Sequence, residues 1–259
     1  MKFRLLPYET NSAYRNMAID RSLYESLVQG TILPTIRFYA WKNPSVSIGH
    51  GQDTAIVDRH YCITNNIDIV RRPSMGNAVY HHINDITYSI VMPTNLDLRQ
   101  TYKTICGWIV NALIKIGIDA KFVGENDIVF DGRKIVGSAQ RNFNPADLKK
   151  RVTLQHGSIF YSATSEDWRK AFNLDDEEKK KIGGIKGVNY ICDRQKLLEE
   201  LVKAFSKNEI VSEIVVGSLS ETELQRIKIL EEKYKKDVEN PSDSKIKEGT
   251  ACAIHIKND

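Results

Sequence analysis

A lysine just after a tight turn, at the head of an apolar strand, is well placed to reach into a pocket and steady negative charge. Lys134 has this setting: it follows Asp131-Gly132-Arg133 and leads into Ile135-Val136-Gly137-Ser138-Ala139-Gln140. Its long stem and compact ammonium suit holding a carboxylate and a phosphate together, although an exposed hairpin lysine is the commoner occupant of such a position. Just upstream, Asn126-Asp127 either makes a simple turn or binds Mg2+ through oxygen. A second segment runs Val70-Arg71-Arg72-Pro73-Ser74-Met75-Gly76-Asn77-Ala78-Val79-Tyr80-His81. A loop of small and turn-forming residues lets backbone N–H groups approach an anion, and the arginines add fork-shaped charge. A surface hairpin that carries two arginines would look the same. Neither GxxxxGK[ST] nor GxGxxG occurs, so the common phosphate-binding signatures are absent. A third segment, Leu154-Gln155-His156-Gly157-Ser158, sets a histidine beside glycine in a strand. That histidine is either structural or a base, and nothing local favours the base.

Periodicity supplies the elements that must position these groups. Residues 11–28 have helical spacing, with Asn11 or Ser12 as cap, and 98–116 form a long amphipathic helix closed by Gly117. Strands are expected over 35–39, 45–48, 67–70, 78–82, 86–92, 120–123, 127–130, 134–136 and 152–161. Asp131-Gly132 is a strong hairpin signal. Further helices fall at 166–172, 196–205 and 220–236, the last with a capping box of Ser220 and Glu223. The order is not a steady βαβ alternation, which predicts an α+β fold with mixed, antiparallel-rich sheets flanked by helices. Residues 1–238 read as one domain and 239–259 as a linker and tail. The short run 250–256 has no assignment.

Composition narrows the function. Of 259 residues, 41% are hydrophobic and 27% charged, enough for a sizeable core. Cys62, Cys106, Cys192 and Cys252 are far apart and form no CxxC pair, against zinc or dithiol chemistry. A net charge of +4 is mild, and without a basic stripe or aromatic platform it argues against nucleic acid. The sequence shows neither a signal peptide nor a membrane span, so a cytoplasmic protein is expected.

Taken together, the segments resemble the lipoate–protein ligase family, within the larger group of biotin and lipoate ligases and octanoyltransferases. The resemblance runs over residues 5–235. Asn16-Met17-Ala18-Ile19-Asp20 is similar to that family's opening helix. Arg37-Phe38-Tyr39, Pro44-Ser45-Val46-Ser47-Ile48-Gly49 and Gln52 are similar to its first strand pair. The 71–81 loop resembles its signature, usually Arg-Arg-x-Ser-Gly-Gly-Gly-Ala-Val-Tyr/Phe-His-Asp. Asn126-Asp127 and the 132–140 segment match its lysine segment. His156-Gly157 and Lys186-Gly187-Val188 match weaker downstream motifs.

This resemblance implies a biotin/lipoate ligase-type catalytic fold and an ATP-dependent lipoate–protein ligase. Such an enzyme forms an acyl-adenylate from lipoate or octanoate and passes the acyl group to a lysine of an acceptor protein. Lys134 would be the catalytic residue, bridging the acyl carboxylate and the α-phosphate. Arg71 and Arg72 would contact phosphates. Ser74, Gly76, Asn77, Ala78, Val79 and Tyr80 would line the pocket, with His81, His156 and Gly157 in the same site. Asn126 and Asp127 would sit by the phosphates and Mg2+, the metal on Asp127. Gly137, Ser138 and Ala139 would form the wall behind Lys134, and Val79 and Val136 would help build an apolar tunnel. The implied acceptor is the lipoyl domain of a 2-oxoacid dehydrogenase, the glycine-cleavage H protein or a specialised lipoate-binding protein.

Departures from the family pattern are Met75-Gly76-Asn77 where three glycines are usual, and His81-His82 in place of His-Asp. Asn77 is expected to keep the turn by adopting positive φ, and Met75 to crowd the acyl pocket. A short C-terminal part leaves room for a separate accessory-domain chain as partner. The nearest alternative of the same fold is an octanoyl or lipoyl transferase that draws on a carrier protein and uses a cysteine, and no cysteine lies near Lys134 in sequence. A non-catalytic subunit that binds lipoyl proteins is the third reading.

Overall fold

The computed structural model describes residues 1–143, 151–181, 184–185 and 187–239. In chain order its first elements are β1 (Lys2–Leu5), β2 (Glu9–Asn11), α1 (Ala13–Val28), β3 (Thr35–Trp41), β4 (Ser45–Ile48), α2 (Arg59–Thr64), β5 (Asp68–Arg71), β6 (Val79–His81) and β7 (Ile86–Thr94). Then come α3 (Leu98–Lys115), β8 (Lys121–Val123), β9 (Asp127–Phe130), β10 (Arg133–Phe143), β11 (Arg151–Ile159), α4 (Ser165–Ala171), α5 (Asp176–Lys181), α6 (Arg194–Ser206), β12 (Glu213–Val216) and α7 (Glu221–Glu239). A large sheet has the order β12-β1-β3-β7-β11-β10-β9-β8, with β2 also paired to β3, and a small sheet has the order β5-β4-β6. Antiparallel pairing runs unbroken from β3 to β8, while β1, β2, β5 and β12 pair in parallel. The expected α+β class holds.

Strand alternation divides the apolar residues between the two faces of the large sheet. Ile36, Phe38, Ile86, Tyr88, Ile90 and Met92 point to one face, under Ile105, Ile109 and Leu113 of α3 and Leu197, Leu201 and Phe205 of α6. Tyr39, Trp41, Val91 and Leu154 point to the other, against Met17 and Leu23 of α1 and Ile227 and Leu230 of α7. All of β3 is buried, as befits a strand covered on both sides. The small sheet packs with α2 and α4 around Val46, Ile69, Tyr80, Phe160 and Trp168.

Local signals set most boundaries. Ser12 caps α1 by accepting from the Arg15 amide. Asp131 and Gly132 take φ of 51° and 67°, the two positive values that a two-residue hairpin between β9 and β10 needs. β10 runs to Phe143, well past the expected end at 136, because its polar residues are answered across the strand pair. Gln140 Nε2 donates to Gln155 Oε1 at 2.6 Å, and Thr153 Oγ1 donates to Asn142 Oδ1. β1, β2, α2, α5 and β12 carry little periodicity and were not expected. The 250–256 run lies outside the described residues, as does the expected linker beyond Glu239, where α7 ends. Among the described residues no helix is long and apolar enough to cross a membrane.

One ion pair fastens α7 to the sheet edge. Arg4 of β1 donates to both carboxylate oxygens of Glu223, at 2.9 and 2.6 Å. Glu223 also accepts from the Ser220 amide, completing the expected capping box. Burial pulls the Glu223 carboxyl up, but Arg4 and the Ser220 amide outweigh it and hold it below its usual range. Arg4→Ala is therefore expected to cost about 1–3 kcal/mol in urea unfolding at neutral pH. The pair stabilises only while Glu223 is ionised. The gap between wild type and variant should be full above the ordinary glutamate range and shrink as pH falls below it.

Candidate active site

Lys134 owes its direction to a bulge. The pairing of β10 with β9 shifts register between Lys134 and Val136, so Ile135 is an extra residue. Without it, Lys134 would share the face of Val136 and Ser138, which looks into the core beneath α3. With it, Lys134 lies along the face of Gly137, where a Cβ on Gly137 would come within 3.0 Å of its Cε and 3.3 Å of its Nζ. A Cβ there would push the lysine stem aside by a few tenths of an ångström. The ammonium pairs with Asp127 Oδ1 at 2.8 Å, both side chains about a third exposed. Asn126 braces the strand, its Nδ2 donating to Ser138 O at 2.6 Å while its own carbonyl accepts from the Ser138 amide at 3.2 Å. Ile185 bridges to Lys134 in parallel, bringing the 185–188 segment alongside. Gly187 lies so close to Tyr161 that a Cβ would stand 2.3 Å from its carbonyl oxygen. Lys186 lies outside the described residues.

Gly157 and Ser138 meet across β10 and β11. A Cβ at Gly157 would strike Gly137 O at 2.5 Å and Tyr88 Cε1 at 2.8 Å, so this strand pair is built on an obligatory glycine. Ser138 Oγ bonds Tyr88 Oη at 2.8 Å, and Gln155 Nε2 donates to the same phenol at 2.8 Å. Ala139 lies on the Gly137 side of the strand. Val136, expected to line a tunnel, is instead wholly buried in the core under α3, and Val79 packs half-buried against the small-sheet core.

The arginine loop is rigid through its own bonds. Arg72 is buried, with Nη1 on Ser47 O at 2.9 Å, Nη2 on Met75 O at 2.9 Å and Asn77 O at 2.8 Å, and Nε on Ser74 Oγ at 3.1 Å. These contacts go to the loop itself and to β4. Arg71 likewise gives Nη1 to Gly49 O at 2.9 Å and Gln52 O at 2.7 Å. The positive φ of the loop falls on Gly76, at 100°, and Asn77 does not share it. Gly76 O also sits where a Cβ of Gly49 would be, 1.8 Å away, so the close approach is between these two glycines. Met75 consequently points outward, 67% exposed, and does not crowd the interior. Ala78 and Tyr80 are buried on the way into β6.

His156 is positioned from a distance. Its Nδ1 lies 2.9 Å from Asp20 Oδ2 on α1, and its Nε2 lies 2.6 Å from Ser74 Oγ. With a carboxylate at Nδ1, that nitrogen carries the proton in the neutral ring and Nε2 accepts from the Ser74 hydroxyl. Asp20 also accepts from Arg37 Nη1 at 2.9 Å and from the Tyr39 hydroxyl at 3.1 Å. Burial pulls the Asp20 carboxyl up, but Arg37 and His156 outweigh it and hold it below its usual range. His81 stacks on Trp41 at 4.1 Å and bonds Ser47 and Ser158, and burial keeps it neutral, far below the usual histidine range.

Two groups escaped the sequence reading. Asp20 and Asn16 interrupt the apolar stripe of α1 one turn apart, which was the available signal. Asp85 had none. Its carboxylate is buried, accepts the His82 amide at 3.0 Å and takes the amides of Tyr161, Ser162 and Ala163 at 2.8, 3.0 and 3.2 Å. Burial pushes it up to about 7 despite these donors. Among the described residues no group of three or more His, Cys, Asp or Glu is gathered for a metal, and Asp127 is committed to Lys134.

Residues 12–217 match the lipoyl protein ligase A/B catalytic domain. The octanoyltransferase LipM of an Exiguobacterium species (strain ATCC BAA-1283 / AT1b) is 31% identical over 206 residues, 68% of this chain and 72% of that protein. The octanoyltransferase LipM of Moorella thermoacetica is 28% identical over 267 residues, 90% of this chain and 95% of that protein. Among solved structures, the bi-partite lipoate protein ligase of Thermoplasma acidophilum superposes with a TM-score of 0.78 at 24% identity, covering 90% and 93% of the two chains. That likeness fixes the fold. The curated relatives correct the expected activity: they are octanoyltransferases, so the ATP-dependent, adenylate-forming ligase inferred from the lysine segment does not stand. ATP and Mg2+ lose their support with it, and so does an accessory chain for adenylation. A lysine held after a tight turn suits ligation and transfer alike, so the 126–140 segment does not separate the two.

The buried Asp20 pairs make a measurable prediction. Their stability is complete above the ordinary aspartate range and is lost as pH falls through the lower folded value. Asp20→Asn should cost roughly 3–5 kcal/mol at neutral pH and show a flatter loss of stability between about pH 4 and pH 2, read by denaturant unfolding across that range.

Proposed function

The chain belongs to the lipoyl protein ligase A/B catalytic-domain family, and on that footing we propose that it is an octanoyltransferase. It moves an octanoyl group from a carrier-protein thioester to a lysine of a lipoyl acceptor protein. The acceptor class is that expected from the sequence: a 2-oxoacid dehydrogenase lipoyl domain, the glycine-cleavage H protein or a specialised lipoate-binding protein. Residues 1–238 form the catalytic domain, and the setting is cytoplasmic. The observation that carries the reading is the likeness to octanoyltransferases along almost the whole chain.

A thioester arrives already activated, so no nucleotide is required. Attack on its carbonyl builds negative charge on oxygen, and a held cation lowers that barrier. Lys134 is the catalytic residue in this reading, its ammonium steadied by Asp127 until the carbonyl displaces that contact. Asn126, Gly137, Ser138 and Ala139 keep the lysine strand in place. Ser74, Gly76, Asn77, Ala78, Val79, Tyr80 and Gly157 wall the acyl group, with Arg71, Arg72, His81 and His156 holding that wall from behind.

The test is incubation of the purified chain with octanoyl-carrier protein and an apo lipoyl domain, without nucleotide, followed by intact mass of the acceptor. An octanoyl mass gain is expected, with Lys134→Ala slowed at least ~100-fold and still folded. A gain that appears only when ATP is added would overturn the reading.

A further inference from the structure

Asp85 holds more backbone than its own turn requires. Its Oδ2 accepts the His82 amide at 3.0 Å, within the connection from β6 to β7. Its Oδ1 reaches 76 to 78 residues along the chain, to the amides of Tyr161, Ser162 and Ala163. An ionised carboxylate is acceptor on both oxygens and can take all four N–H groups. A protonated one turns an oxygen into a donor and leaves buried amides unanswered. The clamp is therefore complete only while Asp85, which is fully buried, carries its charge.

The clamped segment is a junction for the backbone around Lys134. Phe160, one residue before it, donates its amide to Ile135 O at 2.8 Å, and Ile135 is the extra residue of the bulge that directs the lysine. Phe160 O accepts the Val188 amide at 3.0 Å, and Tyr161 O accepts the Asn189 amide at 2.9 Å. Ser165 Oγ donates to Ile185 O at 2.9 Å and accepts the Ile185 amide at 3.1 Å. Ile185 in turn bridges to Lys134. The bulge and the Ile185 bridge thus both lead back to residues 160–165, and Asp85 pins the middle of that stretch.

We propose that Asp85 is a positioning residue for Lys134: its carboxylate fixes residues 161–163 and, through Phe160 and Ile185, sets where the lysine stands. What the lysine does there rests on the octanoyl-transfer reading above. Burial brings the change of charge on Asp85 to about 7, so the clamp is closed above neutrality and loosens below it. The titratable and charged groups around it are Tyr80 and His82 on the β6 side, Tyr161, Asp167 of α4 and Arg194 of α6, whose Nε donates to Asn84 O at 2.8 Å. Burial holds His82 below the ordinary histidine range and Tyr80 above the ordinary tyrosine range, so neither changes charge together with Asp85.

Two measurements on the full chain test this, with Asp85→Asn as the variant. Asparagine keeps the size but cannot ionise, and its Nδ2 meets one set of amides as a further donor. Above pH 8 its kcat for octanoyl transfer should be lower by about tenfold or more, with KM for octanoyl-carrier protein within about threefold. The ratio of wild type to variant should shrink towards one as pH drops through 7, whereas a ratio that stays constant would overturn the proposal, since a merely structural defect has no such dependence. Hydrogen exchange, corrected for the intrinsic rate at each pH, needs no substrate. In wild type the amides of 161–163, 188 and 189 should lose protection together below pH 7 while those of β7 keep theirs, and equal protection on both sides of pH 7 would overturn the proposal. This arm decides even where the variant misfolds. Wild type that transfers no octanoyl group would sink the functional reading, and Asp85 is then judged by the exchange result alone.

Discussion

Asp20 is a carboxylate with no access to water, and much of the site is arranged to make that tolerable. Burying a charge without partners costs several kcal/mol, so each partner it takes is fixed in place in return. Arg37 ties it to β3, Tyr39 to the same strand, and His156 to β11. Through Ser74 the chain of contacts continues to Arg72 and so to every turn of the 73–77 loop. Helix, central sheet and loop are thereby one polar structure, threaded through an otherwise apolar interior.

That arrangement changes how the arginine loop should be understood. A guanidinium with its donors given to Ser47, Ser74, Met75 and Asn77 ties the loop to β4. The Gly49–Gly76 contact has the same effect from the backbone side. A loop held this way is already ordered by its own contacts and has little conformational freedom left to lose. Asp85 does the equivalent for residues 161–163, clamping them beside the end of β6 and so fixing the segment that packs against Gly187.

Much of this was legible in the sequence. Amphipathic runs gave α1, α3, α6 and α7, alternation gave the central strands, and Asp131-Gly132 gave its hairpin, because each is a local signal with one geometry. The lysine segment and the signature loop were legible as a family pattern, which correctly named the fold. Long-range pairings left no such trace. Nothing near His156 announces Asp20, 136 residues away, and nothing near Asp85 announces the amides it collects. The polar half of β10 was missed because Gln140 and Asn142 look like loop residues until Gln155 and Thr153 stand opposite them. Asn77 was expected to take the strained φ on residue type, yet the close approach to Gly49 placed that demand on Gly76. The choice between ligation and transfer was not legible from the lysine, since both reactions place a cation at an acyl carbonyl.

The extra residue at Ile135 carries a consequence for inheritance. Because side chains along a strand alternate, the lysine's allegiance to one side of the sheet is a matter of odd or even count. Substitutions between the hairpin and Gly137 alter volume or charge by degrees. Gain or loss of one residue there would move the ammonium from the part-exposed Gly137 face of the strand to the core face in a single step. What descent must preserve in this stretch is a length as well as a lysine.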